Sequence, residues 1–217
     1  MHALIIGATG ATGKDLLNLL LKDKFFQRVD VFVRRDMDLQ HEKLHIHVIN
    51  FDKEEEWKYL LKGDVLFSCL GTTLKAAGSK EAQWKIDYDY QYNFAKTAKA
   101  NNVSNYILVS SDYASATSPV FYSKMKGQLE EAVKALHFPS LSIFNPPALI
   151  RKNSDRPNEI SGVKVLTFLN KLGIFRSLAP LSTEVLAQAM INAAKTNKTG
   201  IFTYKREQIR QCANENV

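Results

Sequence analysis

The chain has 217 residues, 45% of them hydrophobic and 24% charged, with a formal net charge of +7. That length suits one sizeable α/β domain and is short for two, and the composition indicates neither disorder nor a membrane span. Its two cysteines, Cys69 and Cys212, are too few for a disulfide framework and lack metal-ligand spacing. With no long apolar run and a first strand that leaves no room for a cleavable leader, the expected location is cytoplasmic.

In chain order, Ala3 to Ile6 is an apolar strand that runs into Gly7-Ala8-Thr9-Gly10-Ala11-Thr12-Gly13, and Lys14 to Leu21 continues as an apolar-periodic helix. Three glycines at this spacing let the backbone turn after the strand, approach a pyrophosphate and pack the helix on the sheet. The helix N-terminus then presents free N–H groups and its positive dipole end to an anion. Val29 to Val33 is a second strand that stops at Arg34-Arg35, and His45 to Asn50 a third, with a polar connection between them. Glu54 to Leu61 forms one or two helical turns whose acidic run suits a helix start. Val65 to Leu70 is a buried strand that ends at Gly71.

A long helix is predicted over residues 81 to 100, with Trp84, Tyr88 and Tyr92 at helical spacing as a core or dimer face. Tyr106 to Val109 is the next strand and ends in Ser110-Ser111. Pro119 opens a helix through Leu136, and Ser140 to Phe144 is a strand stopped by Asn145-Pro146-Pro147. Beyond Arg151 the alternation breaks into a polar loop, a helix near 161 to 172 and another near 183 to 196. The irregular stretch 148 to 181 is the expected substrate cover of a single domain spanning residues 1 to 217.

This alternation predicts a Rossmann-type α/β fold, a doubly wound parallel sheet with helices on both faces and a ligand crevice at the strands' carboxyl ends. The basic residues are scattered. Lys195, Lys198, Lys205, Arg206 and Arg210 read as a solvated C-terminal tail, so no nucleic-acid partner is expected. His41, His45 and His47 lie close in sequence without a cysteine or acid at ligand spacing, so no metal is expected either.

Tyr122 and Lys126 stand four apart, which puts both on one helix face. An ammonium beside a phenol favours the phenolate, fitting the tyrosine for proton transfer. Ser110 and Ser111, at the preceding strand's end, can bring a hydroxyl to the same place. Such a group around a carbonyl makes a hydride-transfer site with a nicotinamide. Arg34 and Arg35 stand where the adenine ribose would lie, and guanidinium groups select a 2′-phosphate, hence NADP(H) over NAD(H).

Together, Gly7-x-x-Gly10-x-x-Gly13, the serines after the fifth strand and Tyr122-x-x-x-Lys126 resemble the short-chain dehydrogenase/reductases in their extended or atypical branch. Val33-Arg34-Arg35, Cys69-Leu70-Gly71-Thr72-Thr73, Asp87-Tyr88-Asp89-Tyr90 and Tyr122-Ser123-Lys124-Met125-Lys126-Gly127 are similar, more narrowly, to the Tat-interacting-protein-like members. The resemblance implies that Gly7, Thr9, Gly10, Ala11, Thr12 and Gly13 hold the pyrophosphate, and that Leu70, Gly71 and Thr72 lie against the adenosine side. By the same resemblance Asn50, Phe51 and Asp52 follow the third strand at the adenine, and Pro146 borders the cofactor. Tyr122 would be the proton donor, Lys126 would also bind the nicotinamide ribose, and Ser111, or else Ser110, would bind the carbonyl oxygen.

Two positions depart from the family pattern: Asn50 replaces an adenine-contacting Asp, and Asn145-Pro146 stands where Arg-Pro is frequent. Asp87 occupies the place of a family asparagine. The expected activity is interconversion of a carbonyl and an alcohol by a monomer or homodimer. An epimerase or dehydratase on the same fold, and an NADPH-sensing regulator without turnover, are the alternatives.

Overall fold

Ala3 to Ile6 are fully buried, as befits a strand covered on both faces, and around this strand the rest of the sheet is laid. The computed structural model describes residues 1–150, 180–196 and 198–215. The elements are β1 (His2–Ile6), α1 (Ala11–Lys22), β2 (Arg28–Val33), β3 (Leu44–Val48), α2 (Glu54–Trp57), β4 (Val65–Ser68), α3 (Leu74–Ala77) and α4 (Lys80–Trp84). They continue with α5 (Tyr90–Ala100), β5 (Asn105–Val109), α6 (Phe121–Lys134), β6 (Ser140–Asn145), β7 (Leu149–Ile150), β8 (Leu181–Ser182), α7 (Thr183–Thr196), β9 (Gly200–Lys205) and α8 (Arg206–Asn214).

Seven strands form one sheet in the order β3-β2-β1-β4-β5-β6-β9, with every pairing parallel. The order reverses between β1 and β4. Connections from neighbouring strands leave in opposite directions there, which opens a crevice at the carboxyl ends. Because side chains alternate along a strand, Ile5 joins one core and Leu4 and Ile6 the other. Leu16 and Leu20 of α1 pack on the first face with Leu186 and Met190 of α7. Phe94 of α5 and Leu129 and Val133 of α6 pack on the second, where Phe94 stacks on Trp57 at 4.2 Å.

The sequence expectations need two corrections. The helix predicted over residues 81 to 100 is interrupted: Lys85–Asp89 form a π-turn between α4 and α5. A π-turn inserts an extra residue per turn and is common at functional sites, and this one carries Asp87. The basic C-terminal segment is no solvated tail. Gly200–Lys205 completes the sheet as β9, and Arg206, at φ 39°, donates from Nη2 to Asp112 at 2.7 Å. That strand was hidden because it forms the sheet edge and leaves Ile201 exposed, which blurs its apolar pattern. The helix expected near 161 to 172 lies outside the described residues, as does most of the predicted cover 148 to 181.

His47 belongs to β3. It faces the buried carboxylate of Asp30 at 3.4 Å, with His2 at 3.1 Å on the same oxygen and Arg28 at 2.9 Å on the other. Burial favours the acid form of Asp30, yet the hydrogen bonds from His2, His47 and Arg28 outweigh it and hold the carboxyl well below the usual range.

Candidate active site

The glycine turn is shaped by close backbone approach. Gly7 has φ +84°, and a Cβ there would fall 2.4 Å from the carbonyl carbon of Cys69, at the end of β4. A Cβ on Gly13 would fall 2.0 Å from the Gly7 carbonyl oxygen, so α1 packs directly on the turn. Gly10 is less confined: a Cβ there would lie 3.3 Å from the Gly7 carbonyl oxygen, a tight contact that a small shift relieves, and 4.0 Å from the Cys69 oxygen. Gly10 is also the N-cap of α1, and no side chain caps the helix. The first-turn N–H groups therefore face the crevice, where an anion satisfies them.

Two joined cavities flank this turn. The smaller, about 170 Å³, is lined by Gly7, Thr9, Arg34, Phe51, Leu70 and Tyr90, among others. The larger, about 750 Å³, includes Thr12, Thr72, Ser110, Tyr122 and Lys126 in its wall. Gly10, Cys69, Leu70, Gly71 and Thr72 line both. No Asp or Glu lines either cavity among the described residues. An uncapped helix end, a glycine without a side chain at the cap and walls free of carboxylates fit a dinucleotide's pyrophosphate.

Of the residues expected at the adenine end, Arg34 and Phe51 line the small cavity. Arg35 is exposed beyond it. The Asn50 side chain is occupied in a turn, accepting from the Asp52 amide at 3.0 Å. Asp52 accepts from the Tyr90 hydroxyl at 3.0 Å and Lys85 Nζ at 2.8 Å, on a separate groove. Pro146 is buried and accepts the Asp112 amide through its carbonyl.

The reactive side chains come together through tight packing. A Cβ on Gly127 would sit 2.2 Å from Ala116 N, so α6 lies hard against the loop that follows β5. That contact brings Tyr122 and Lys126 beside Ser110. Tyr122 is 37% exposed at the cleft wall, whereas Lys126 is 2% exposed, with its ammonium 3.9 Å from Asp87 Oδ1.

Asp87 accepts the Thr72 amide at 3.0 Å, while Gln83 Nε2 donates to the Thr72 carbonyl at 3.3 Å. Gln91 Nε2 donates to the Asp87 carbonyl at 2.7 Å, and Gln91 Oε1 accepts from Ser68 Oγ at 2.8 Å. Burial raises the Asp87 carboxyl above its ordinary value, opposed by the Lys126 ammonium and the Thr72 amide. Cys69, in the shared wall, is pushed up to about 12 by burial, so it stays a thiol.

Of the two serines, Ser110 lines the large cavity, and Ser111, half-buried, is not among its lining residues. Ser110 Oγ donates to Glu130 Oε1. Asn145 Nδ2 donates to the same oxygen at 2.7 Å and to the Ser111 carbonyl at 2.8 Å. Sequence reasoning missed Glu130. Its signal was the spacing: it follows Lys126 by four residues, as Lys126 follows Tyr122.

A seven-stranded parallel sheet with a glycine turn at its switch point defines an NAD(P)-binding Rossmann protein, and the adjoining cleft holds Tyr122 and Lys126. The NAD(P)H-binding family model matches residues 7–138, and the chain belongs to that family. Protein FMP52, mitochondrial, of Meyerozyma guilliermondii is 33% identical over 222 residues, covering 92% of this chain and 95% of its own. Protein HTATIP2 of Rattus norvegicus is 36% identical over 160 residues, covering 71% of this chain and 66% of its own.

Among solved structures, MoeE5 in complex with UDP-glucose and NAD superposes with a TM-score of 0.70 at 13% identity, covering 94% of this chain and 75% of that one. A short-chain dehydrogenase family protein from Francisella tularensis gives 0.66 at 15% identity, covering 95% and 98%. Both are likenesses of fold. The fungal relatives are named mitochondrial, where the composition of this chain led to the cytoplasm. Among the described residues no helix is long and apolar enough to cross a membrane.

Proposed function

We propose that the chain is an NADP(H)-dependent oxidoreductase that interconverts a carbonyl and an alcohol. The observation that carries this reading is that Tyr122, Lys126 and Ser110 line the same cleft as the uncapped helix end. The helix N-terminus with Gly10, Ala11 and Thr12 holds the pyrophosphate, and Arg34 takes the 2′-phosphate beside Phe51 and Leu70. When bound, the reduced cofactor supplies a hydride to the carbonyl carbon.

Tyr122 gives its hydroxyl proton to the carbonyl oxygen, and the ammonium of Lys126 stabilises the phenolate left behind. Ser110, which lines the cleft, borders the same oxygen. Leu149, at the start of the stretch expected to cover the substrate, forms part of the cleft wall. The test is an absorbance screen of cofactor oxidation with aldehydes, ketones and quinones. Turnover with NADPH, faster than with NADH, is expected for at least one compound. NADPH binding with no turnover across the panel would favour the sensor instead.

A further inference from the structure

We propose that Glu130 is the positioning residue of the cleft serine, holding Ser110 with its hydroxyl proton turned inward so that the Oγ lone pairs accept the proton-bearing hydroxyl in the cleft. This rests on the oxidoreductase reading above and assigns one more part of the same site. Tyr122, Lys126 and Glu130 follow one another at intervals of four along α6, so one helix face carries all three toward the end of β5. Glu130 is 9% exposed, and a carboxyl group so far from water needs hydrogen-bond donors around it.

It finds two of them on one oxygen: Oε1 meets Ser110 Oγ and, at 2.7 Å, Asn145 Nδ2. The orientation of the Asn145 amide is fixed independently, because the same nitrogen also donates to the Ser111 carbonyl at 2.8 Å. An amide nitrogen can only donate, so Oε1 serves as an acceptor on that side, and in the Ser110 contact the hydroxyl is again the donor to Oε1. Asn145 thus holds Glu130, and Glu130 holds Ser110.

The chemical consequence follows from counting protons. A serine hydroxyl has one hydrogen and two acceptor lone pairs. With the hydrogen given to Glu130, Ser110 has only lone pairs for the cleft and cannot polarise a carbonyl by donating to it. Its partner in the cleft must bring a hydrogen, which is the O–H of Tyr122 before proton transfer or of the alcohol after it. Ser110 therefore orders the proton that moves, and the oxygen of the carbonyl takes its donated bond from Tyr122. This differs from the sequence expectation, in which a serine hydroxyl polarises the carbonyl.

The experiment is a double-mutant cycle on the full chain, with steady-state kinetics on a carbonyl substrate found in the screen and thermal unfolding of every variant. Ser110→Ala and Glu130→Leu are each expected to lower kcat about tenfold with the KM for cofactor unchanged, and the double variant to be no slower than either. Glu130→Gln keeps an acceptor oxygen at Oε1 and should restore most of the rate. Should Glu130→Leu not fold, Glu130→Ala replaces it in the same cycle.

Losses that multiply in the double variant would overturn the assignment, because Glu130 would then act by a route other than Ser110. A Glu130→Gln enzyme as slow as Glu130→Leu would overturn it too, since the acceptor oxygen alone would not suffice. No turnover by the unmodified chain would remove the oxidoreductase reading and this assignment together, whereas turnover with multiplying losses removes only this one.

Discussion

The ammonium of Lys126 lies 3.9 Å from Oδ1 of Asp87, both side chains almost wholly buried, and the carboxylate is fastened to the cofactor wall through the Thr72 amide. The lysine is thereby held from the π-turn, an element separate from its own helix. Burial has the larger effect on Asp87 and raises its carboxyl despite the nearby ammonium.

The sign of the resulting pH dependence can be worked out. With the folded value above the unfolded one, the folded state holds the proton more tightly, so this group favours folding most at low pH. The stability of the native chain relative to Asp87→Asn should fall as pH rises from the ordinary carboxylate range to the raised folded value, then level off. Urea unfolding of both proteins across that range would check it. A difference that grows with pH would mean that the Lys126 attraction outweighs burial.

Tyr122→Phe should leave the fold and cofactor binding intact and cut turnover by about 10²–10⁴-fold, the usual worth of a general acid. The side chain is 37% exposed and only its hydroxyl is removed, so little stability depends on it. Cofactor titration and steady-state rates on the same preparation separate the two effects. An active Tyr122→Phe protein would cancel the proton-donor role.

The three glycines of the turn should respond differently. Gly10→Val sets its Cβ 3.3 Å from the Gly7 carbonyl oxygen, a contact that a small backbone shift relieves, so the chain should fold with a modest loss of stability and lose cofactor affinity. Gly7→Ala combines φ +84° with a Cβ 2.4 Å from backbone, and Gly13→Ala puts one at 2.0 Å, so both should lose several kcal/mol of stability, roughly the scale of strain plus overpacking. Calorimetric titration of Gly10→Val and thermal unfolding of all three test this. A Gly10→Val protein with unchanged affinity would show that the turn does not meet the cofactor.

Arg34→Ala should narrow the preference for NADPH over NADH about tenfold or more, the worth of a charge-assisted hydrogen bond lost from the 2′-phosphate. Arg35→Ala should change the ratio less, because Arg34 lines the cavity and Arg35 stands outside it. Paired titrations of the two cofactors decide the matter. Equal affinity for both cofactors in the native chain would leave the arginines without this role.

The sequence by itself determined the alternation of strands and helices from β1 to β6, the glycine turn between β1 and α1, and the shared helix face of Tyr122 and Lys126, because each depends on spacing along a few adjacent residues. A strand buried on both faces reads as an apolar run, and residues four apart share a helix face whatever the helix packs against. What only the tertiary structure decided is which separated residues meet. β9 is an edge strand and hides its pattern, and the π-turn that delivers Asp87 to Lys126 leaves the helical periodicity around it nearly undisturbed. That Ser110 rather than Ser111 lines the cleft follows from the approach of Gly127 to the 115–116 backbone and from the Glu130 and Asn145 bonds. Those contacts join α6, β6 and the loop after β5, segments far apart in sequence, and their geometry is set by sheet order and close packing, which local spacing does not encode.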